Sequence, residues 1–319
     1  MKEPAFVKQN KSRWQEFEKV VGNQRSASPD HLAELFIQIT DDLSFSRTQY
    51  PQSRTTQYLN ALASKIHLEI YKNKREEKNR FITFWKEEVP AAVYNARKPL
   101  LISLVIFLIS VVMGVVSAQH DDTFVRLILG DGYVNMTLEN IRNGNPTGVY
   151  GSMNEFVMFL RITLNNIMVS FYVFVYGIIA SLGTGFLLFR NGIMMGAFVM
   201  LFAQESMLTH AFPVIMLHGT IELSSIVIAG GAGFVMGNSL IFPGTYSRIE
   251  SFKMGAVNGL KIVVGLVPFF IMAGFIESYI TRFEFMHWVL KSVVIVGSAL
   301  LMIFYFVIYP YLLKRHGKI

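Results

Sequence analysis

The stretch LHGTIELSSIVIAGGAGFVMG, residues 217–237, sets His218 and Glu222 four residues apart in a run otherwise apolar enough to lie in a membrane. On a helix that spacing stacks an imidazole and a carboxylate on one face, one turn apart. Ionisable groups are costly in hydrocarbon, so they point to function or to a partner that satisfies them. More polar residues interrupt the neighbouring apolar runs: Asn165, Asn166, Asn191, Glu205 and Glu277. Three chemistries fit this set. In the first, Glu222 accepts hydrogen bonds from His218 or from the Asn165 and Asn166 carboxamides, and the cluster ties helices together. In the second, His218, Glu222 and Glu277 hold a divalent metal ion such as zinc, or relay protons, in a transporter-like protein. In the third, a bound metal drives an intramembrane hydrolase. The HExxH signature of zinc proteases needs two histidines, and this run has one. The expectation is a non-enzyme with no catalytic residue and no required cofactor.

The elements that must carry these residues follow from composition. The chain has 319 residues, 52% hydrophobic and only 16% charged, where soluble domains carry about 25% charge. Residues 1–98 hold 17 of the 29 Lys and Arg and 12 of the 22 Asp and Glu. A polar N-terminal region over 1–96 therefore precedes a membrane domain over 97–319, and the fold class is all-α. Runs of about 20 apolar residues suffice to cross a bilayer. Six occur, near 99–118, 157–189, 192–209, 211–237, 262–281 and 288–313. The third is short enough to suggest a re-entrant segment. There are no cysteines, which excludes disulfides, thiolate metal sites and a cysteine nucleophile. No signal peptide opens the chain, because the first twenty residues lack an apolar segment.

Orientation follows from the basic residues. Arg97 and Lys98 precede the first span, and Arg190 falls between the second and third. Arg248, Lys253 and Lys261 fall between the fourth and fifth, and Lys314, Arg315 and Lys318 follow the sixth. The outer loop at about 119–156 carries Asp121, Asp122, Asp131, Glu139 and Glu155 against Arg126 and Arg142. Both termini are thus expected in the cytoplasm, with the protein in the inner membrane. The net charge of +7 is read as this bias and not as a nucleic-acid surface. At about 1.5 Å per residue, Asn165 and Asn166 lie roughly 13 Å below the outer end of their span, His218 roughly 10 Å, Glu222 roughly 16 Å and Glu277 about 6 Å. The polar set is expected to meet in the outer half of the bilayer.

In the N-terminal region Ser28-Pro29-Asp30 reads as a helix start. Leu32, Leu35, Phe36, Ile39 and Leu43 form one apolar stripe, and Tyr58, Leu59, Leu62, Ile66 and Ile70 form another on a helix near 55–72. His67 reads as a packing residue. The stretch ITFWKEEVPAAVYNARK, 82–98, reads as an interfacial lead-in, with Trp85 and Tyr94 suited to headgroups. Gly192 and Gly196, then Gly233 and Gly237, repeat the GxxxG spacing that lets helices approach closely in lipid. Packing within one chain is the favoured use, and a homodimer face is the other.

Taken together these residues resemble the stage II sporulation protein M family. Asn165-Asn166, GIIASLGTGFLLFRNGIMMG at 177–196, LHGTIEL at 217–223, GFIESYIT at 274–281 and YLNALASKIHLEIY at 58–71 carry the resemblance, which runs from about residue 10 to the last span. It implies a polytopic inner-membrane protein that acts as a scaffold. In spore-formers the namesake recruits a peptidoglycan-degrading complex. Relatives in bacteria and archaea that do not sporulate often accompany an AAA-type ATPase and other membrane proteins. The long N-terminal region fits that broader branch. The family carries no established catalytic residues over, and the matching polar positions are Asn165, Asn166, Asn191, His218, Glu222 and Glu277.

Overall fold

Long apolar runs in lipid have one economical solution, the helix, because each backbone N–H and C=O must find its partner within the segment. The structure is a computed structural model that describes residues 2–22, 29–71, 80–143, 154–281 and 286–317. Among them all regular structure is helical. The chain divides into two units, Met1–Arg80 and Phe81–Ile319.

The first unit holds α1 (Glu3–Gly22), α2 (Pro29–Gln49) and α3 (Arg54–Tyr71). Phe6, Trp14 and Phe17 of α1 meet Leu35, Ile39 and Leu43 of α2 and Leu59 and Leu62 of α3 in one core. Phe36 packs at its edge, and Tyr58 is 37% exposed. Helix α2 starts at Pro29, while Ser28 lies outside the described residues, as do the side chains of Leu32, Ile66, His67 and Ile70. Asp42, nearly buried, accepts from Trp14 Nε1 at 2.8 Å and from Arg13 at 2.6 Å. A buried carboxylate needs such donors, and these tie α1 to α2.

The second unit opens one residue into α4, residues 80–95, followed by the first span α5 (Arg97–His120). Two short helices, α6 (Asp122–Leu129) and α7 (Asp131–Arg142), fill the following loop. The remaining spans are α8 (Glu155–Ile178), α9 (Leu182–Gln204), α10 (Leu208–Ile241), α11 (Arg248–Ile280) and α12 (Trp288–Arg315). All six are long and apolar enough to cross a membrane. The third is a helix of 23 residues, so no re-entrant segment is needed.

Two boundaries differ from the sequence expectation. The turn between the second and third spans lies at 179–181, so Arg190 is inside α9 and exposed, not in a loop. Ala180 and Ser181 make this turn with φ of 46° and 67°. Neither residue type signals a left-handed turn, and apolar neighbours hid it. Arg190 then lies roughly 12 Å along α9, within reach of a snorkelling side chain. Similarly α11 begins at Arg248, which places Lys253 and Lys261 within the helix. Its 33 residues span about 50 Å, more than the roughly 30 Å hydrocarbon layer, so its first turns can carry charge outside it.

Helix α10 sits centrally, packed on α5, α8, α9, α11 and α12. The glycine repeats serve these contacts within the chain. Gly192 and Gly196 lie against Phe107, Ser110, Val111 and Gly114 of α5. Gly233 and Gly237 lie against Val173, Gly177, Ser181 and Thr184. The lead-in α4 is no surface strip: Val89, Ala92 and Val93 are buried in the main core. It makes a π-helical turn over Phe84–Glu88 just before Pro90. Pro90 has no N–H for the carbonyls four and five residues earlier. The hydroxyls of Tyr309 and Tyr305 on α12 donate to those two instead, Lys86 O at 3.0 Å and Trp85 O at 2.7 Å. At the far end Asp121 caps α6, its Oδ1 accepting from the N–H of Thr123 at 2.8 Å and from its hydroxyl at 2.6 Å. Those bonds hold the Asp121 carboxyl below the usual range.

Candidate functional site

Helix α10 puts His218 and Glu222 on one face because they are one turn apart. Facing them, α11 closes with a second π-helical turn, Ile276–Ile280, which carries Glu277. Such turns widen the helix and are frequent at functional sites. One ligating atom from each of His218, Glu222 and Glu277 lies within 4.8 Å of the others. His218 Nε2 is 3.8 Å from Glu277 Oε1, with side chains only 6% and 13% exposed. From α8, Asn166 Nδ2 donates to Glu222 Oε1 in a short hydrogen bond. Three helices therefore contribute to one polar knot.

The other ring nitrogen, His218 Nδ1, lies 3.4 Å from the Thr281 hydroxyl. That hydroxyl donates its own proton to the Ile276 carbonyl at 3.2 Å. With the Thr281 hydroxyl beside Nδ1, the Nε2 edge of the ring is the one turned to Glu277. Close by in sequence, the hydroxyls of Ser225, Ser278, Thr163 and Ser170 are buried without a hydrogen-bond partner among the described residues. Serine and threonine in apolar helices usually donate back to the preceding turn, as Thr220 and Ser224 do at 2.7 Å.

The remaining candidates stand elsewhere. Asn165 is exposed on the outside of α8. Asn191 donates to Leu187 O of its own helix at 2.8 Å and faces a cavity of about 330 Å³ lined by Tyr133, Met194, Phe198 and Leu223. Glu205 ends α9 and is exposed. The gathering thus comes from α8, α10 and α11, without α9. Thr281 was missed as a candidate, although it follows Glu277 by the four residues that also separate His218 from Glu222.

In chemical terms the knot offers one imidazole nitrogen and two carboxylates in largely buried surroundings. Two carboxylates this close repel strongly where water is scarce, and either a proton on one of them or a positive charge between them relieves it.

Comparison with known proteins adds the family. Residues 103–282, more than half of the chain, match the family model described as Stage II sporulation protein M. Residues 4–72 match a domain of unknown function (DUF8413), which coincides with the three-helix first unit. No curated protein and no solved structure matches the chain.

Proposed function

The chain belongs to the stage II sporulation protein M family, and on that premise we propose that it is a non-catalytic scaffold that recruits envelope-remodelling proteins to the inner membrane. The six spans are the anchor. The N-terminal helical unit binds cytoplasmic partners, an AAA-type ATPase system among them. Helices α6 and α7 meet envelope or peptidoglycan-remodelling proteins on the opposite face. Both chain ends lie in the cytoplasm, in keeping with Arg97, Lys98, Arg248, Lys314 and Arg315 at one end of the spans and Asp121, Asp131 and Glu139 at the other.

The observation that carries this reading is the packing of α10. A Cβ on Gly233 or Gly237 would strike Val173 O, Gly177 O, Ser181 or Thr184, and one on Gly231 would strike Leu100 of α5. A transporter of the rocking kind needs helices that shift against one another around its site. A central helix held at backbone contact by several neighbours is suited to staying in place.

The test is affinity purification of the full chain from its own membranes, beside the Ile37→Glu variant. Ile37 is 59% exposed on α2, so the change should leave folding intact while weakening an apolar docking face. The expected result is a stoichiometric ATPase or envelope hydrolase that co-purifies with the wild type and falls at least about tenfold with the variant, as for loss of a contact worth about 1.4 kcal/mol. Solute or ion flux in proteoliposomes, with no partner retained by the wild type, would overturn it.

A further inference from the structure

We propose that His218, Glu222 and Glu277 bind one divalent first-row transition-metal ion, which clamps α10 to α11. The inference stands apart from the recruitment role and rests on the geometry of the polar knot. Two ligands of one ion at bonds of about 2.1 Å can be at most about 4.2 Å apart. The 3.8 Å between His218 Nε2 and Glu277 Oε1 already satisfies that limit. The widest separation in the set, within 4.8 Å, must close to roughly 3.4 Å around a tetrahedral ion, a shift within the reach of glutamate torsions.

The hydrogen bonds around the ligands point the same way, independently of their spacing. Thr281 engages Nδ1, and the Nε2 edge of the ring is turned to the Glu277 carboxyl. With neither group protonated these are two acceptors, and a metal ion between them would satisfy both. The second ring nitrogen of a metal-bound histidine is ordinarily engaged in this way, which fixes tautomer and ring orientation. Asn166 does the same for Glu222, engaging one of its carboxyl oxygens. A dication with two carboxylates and a neutral imidazole is also charge-balanced, which suits a site short of water. An imidazole among the ligands favours zinc, iron(II) or nickel over magnesium or calcium, which take oxygen. Three protein ligands leave a position for water.

Cobalt(II) and zinc test this on the full chain in detergent after chelation. Cobalt(II) should saturate at one equivalent with visible d–d absorption, and zinc should displace it. His218→Ala should weaken zinc binding by more than about a hundredfold, beyond what the loss of an outer-shell partner ordinarily costs. Exposed His210 and His287 serve as controls, and their alanine variants should bind as the wild type does. Affinity should fall as pH is lowered, since imidazole and carboxylates must shed protons to ligate. A wild-type chain with no absorption change and less than a tenth of an equivalent of zinc overturns the proposal, as does metal retained by His218→Ala or lost from His210→Ala. Since His218→Ala can fail to fold, Glu277→Gln is the second variant. Should both misfold, the cobalt(II) titration of the unaltered chain still decides.

Discussion

Asn165 and Asn166 are chemically the same and adjacent, yet only Asn166 reaches Glu222. Removing its carboxamide leaves a largely buried carboxylate without its donor, at about 1.5–3 kcal/mol for a hydrogen bond to a charged group. Asn166→Ala should therefore lower the melting temperature in detergent by several degrees, while Asn165→Ala, exposed, should change it little. Equal shifts for the two variants would mean that the Glu222 contact contributes nothing. The sequence could not choose between them. Adjacent residues point about 100° apart on a helix, and both flanks of the pair are apolar, so no pattern says which side is inward. That His218 and Glu222 share a helix face was legible because the i, i+4 rule needs only one helix. Glu277 and Thr281 belong to the same knot through a tertiary contact, and the spacing of either helix alone is silent about that.

Among elements, the glycines of α8 and α10 show what sets helix spacing in this bundle. Gly177 faces Gly233 so closely that a Cβ on Gly177 would overlap the Gly233 backbone, which cannot retreat as a flexible side-chain tip can. Gly177→Ala should destabilise by about 1–3 kcal/mol, the ordinary range for overpacking. Gly297 in α12 has open space around its Cβ position. Gly297→Ala should be neutral or stabilising by up to about 1 kcal/mol, because alanine is the better helix former. Thermal melts of the pair read this directly, and a neutral Gly177→Ala would refute the close approach. The GxxxG spacing announced such contacts beforehand, but not their partners. The turn at 179–181 was hidden for a related reason. Glycine at 177 is used for closeness while Ala180 and Ser181 take the positive φ, so the residue that usually marks a turn stands beside it. The lead-in α4 misled through its tryptophan and tyrosine, which suit headgroups equally well. Pro90 decides its environment, because the carbonyls it leaves unpaired are met by Tyr305 and Tyr309 of α12.

At the scale of the whole molecule, an even number of spans returns the chain to the side where it started, whatever the exact helix ends. That is why the six spans were readable from length and apolarity even though two boundaries moved by several residues. The direction of the whole array rests on charge alone, and the natural lack of cysteine makes it open to a clean test. Gly132 on α7, Tyr246 in the turn after α10 and His316 after α12 are all exposed. With both ends in the cytoplasm, a membrane-impermeant maleimide should label Gly132→Cys in intact cells. It should reach Tyr246→Cys and His316→Cys only after permeabilisation. The reverse pattern would turn the array over, putting the N-terminal unit outside and removing cytoplasmic recruitment as its role. Labelling Tyr246→Cys and His316→Cys from opposite sides would instead break the pairing of α11 with α12 as two spans.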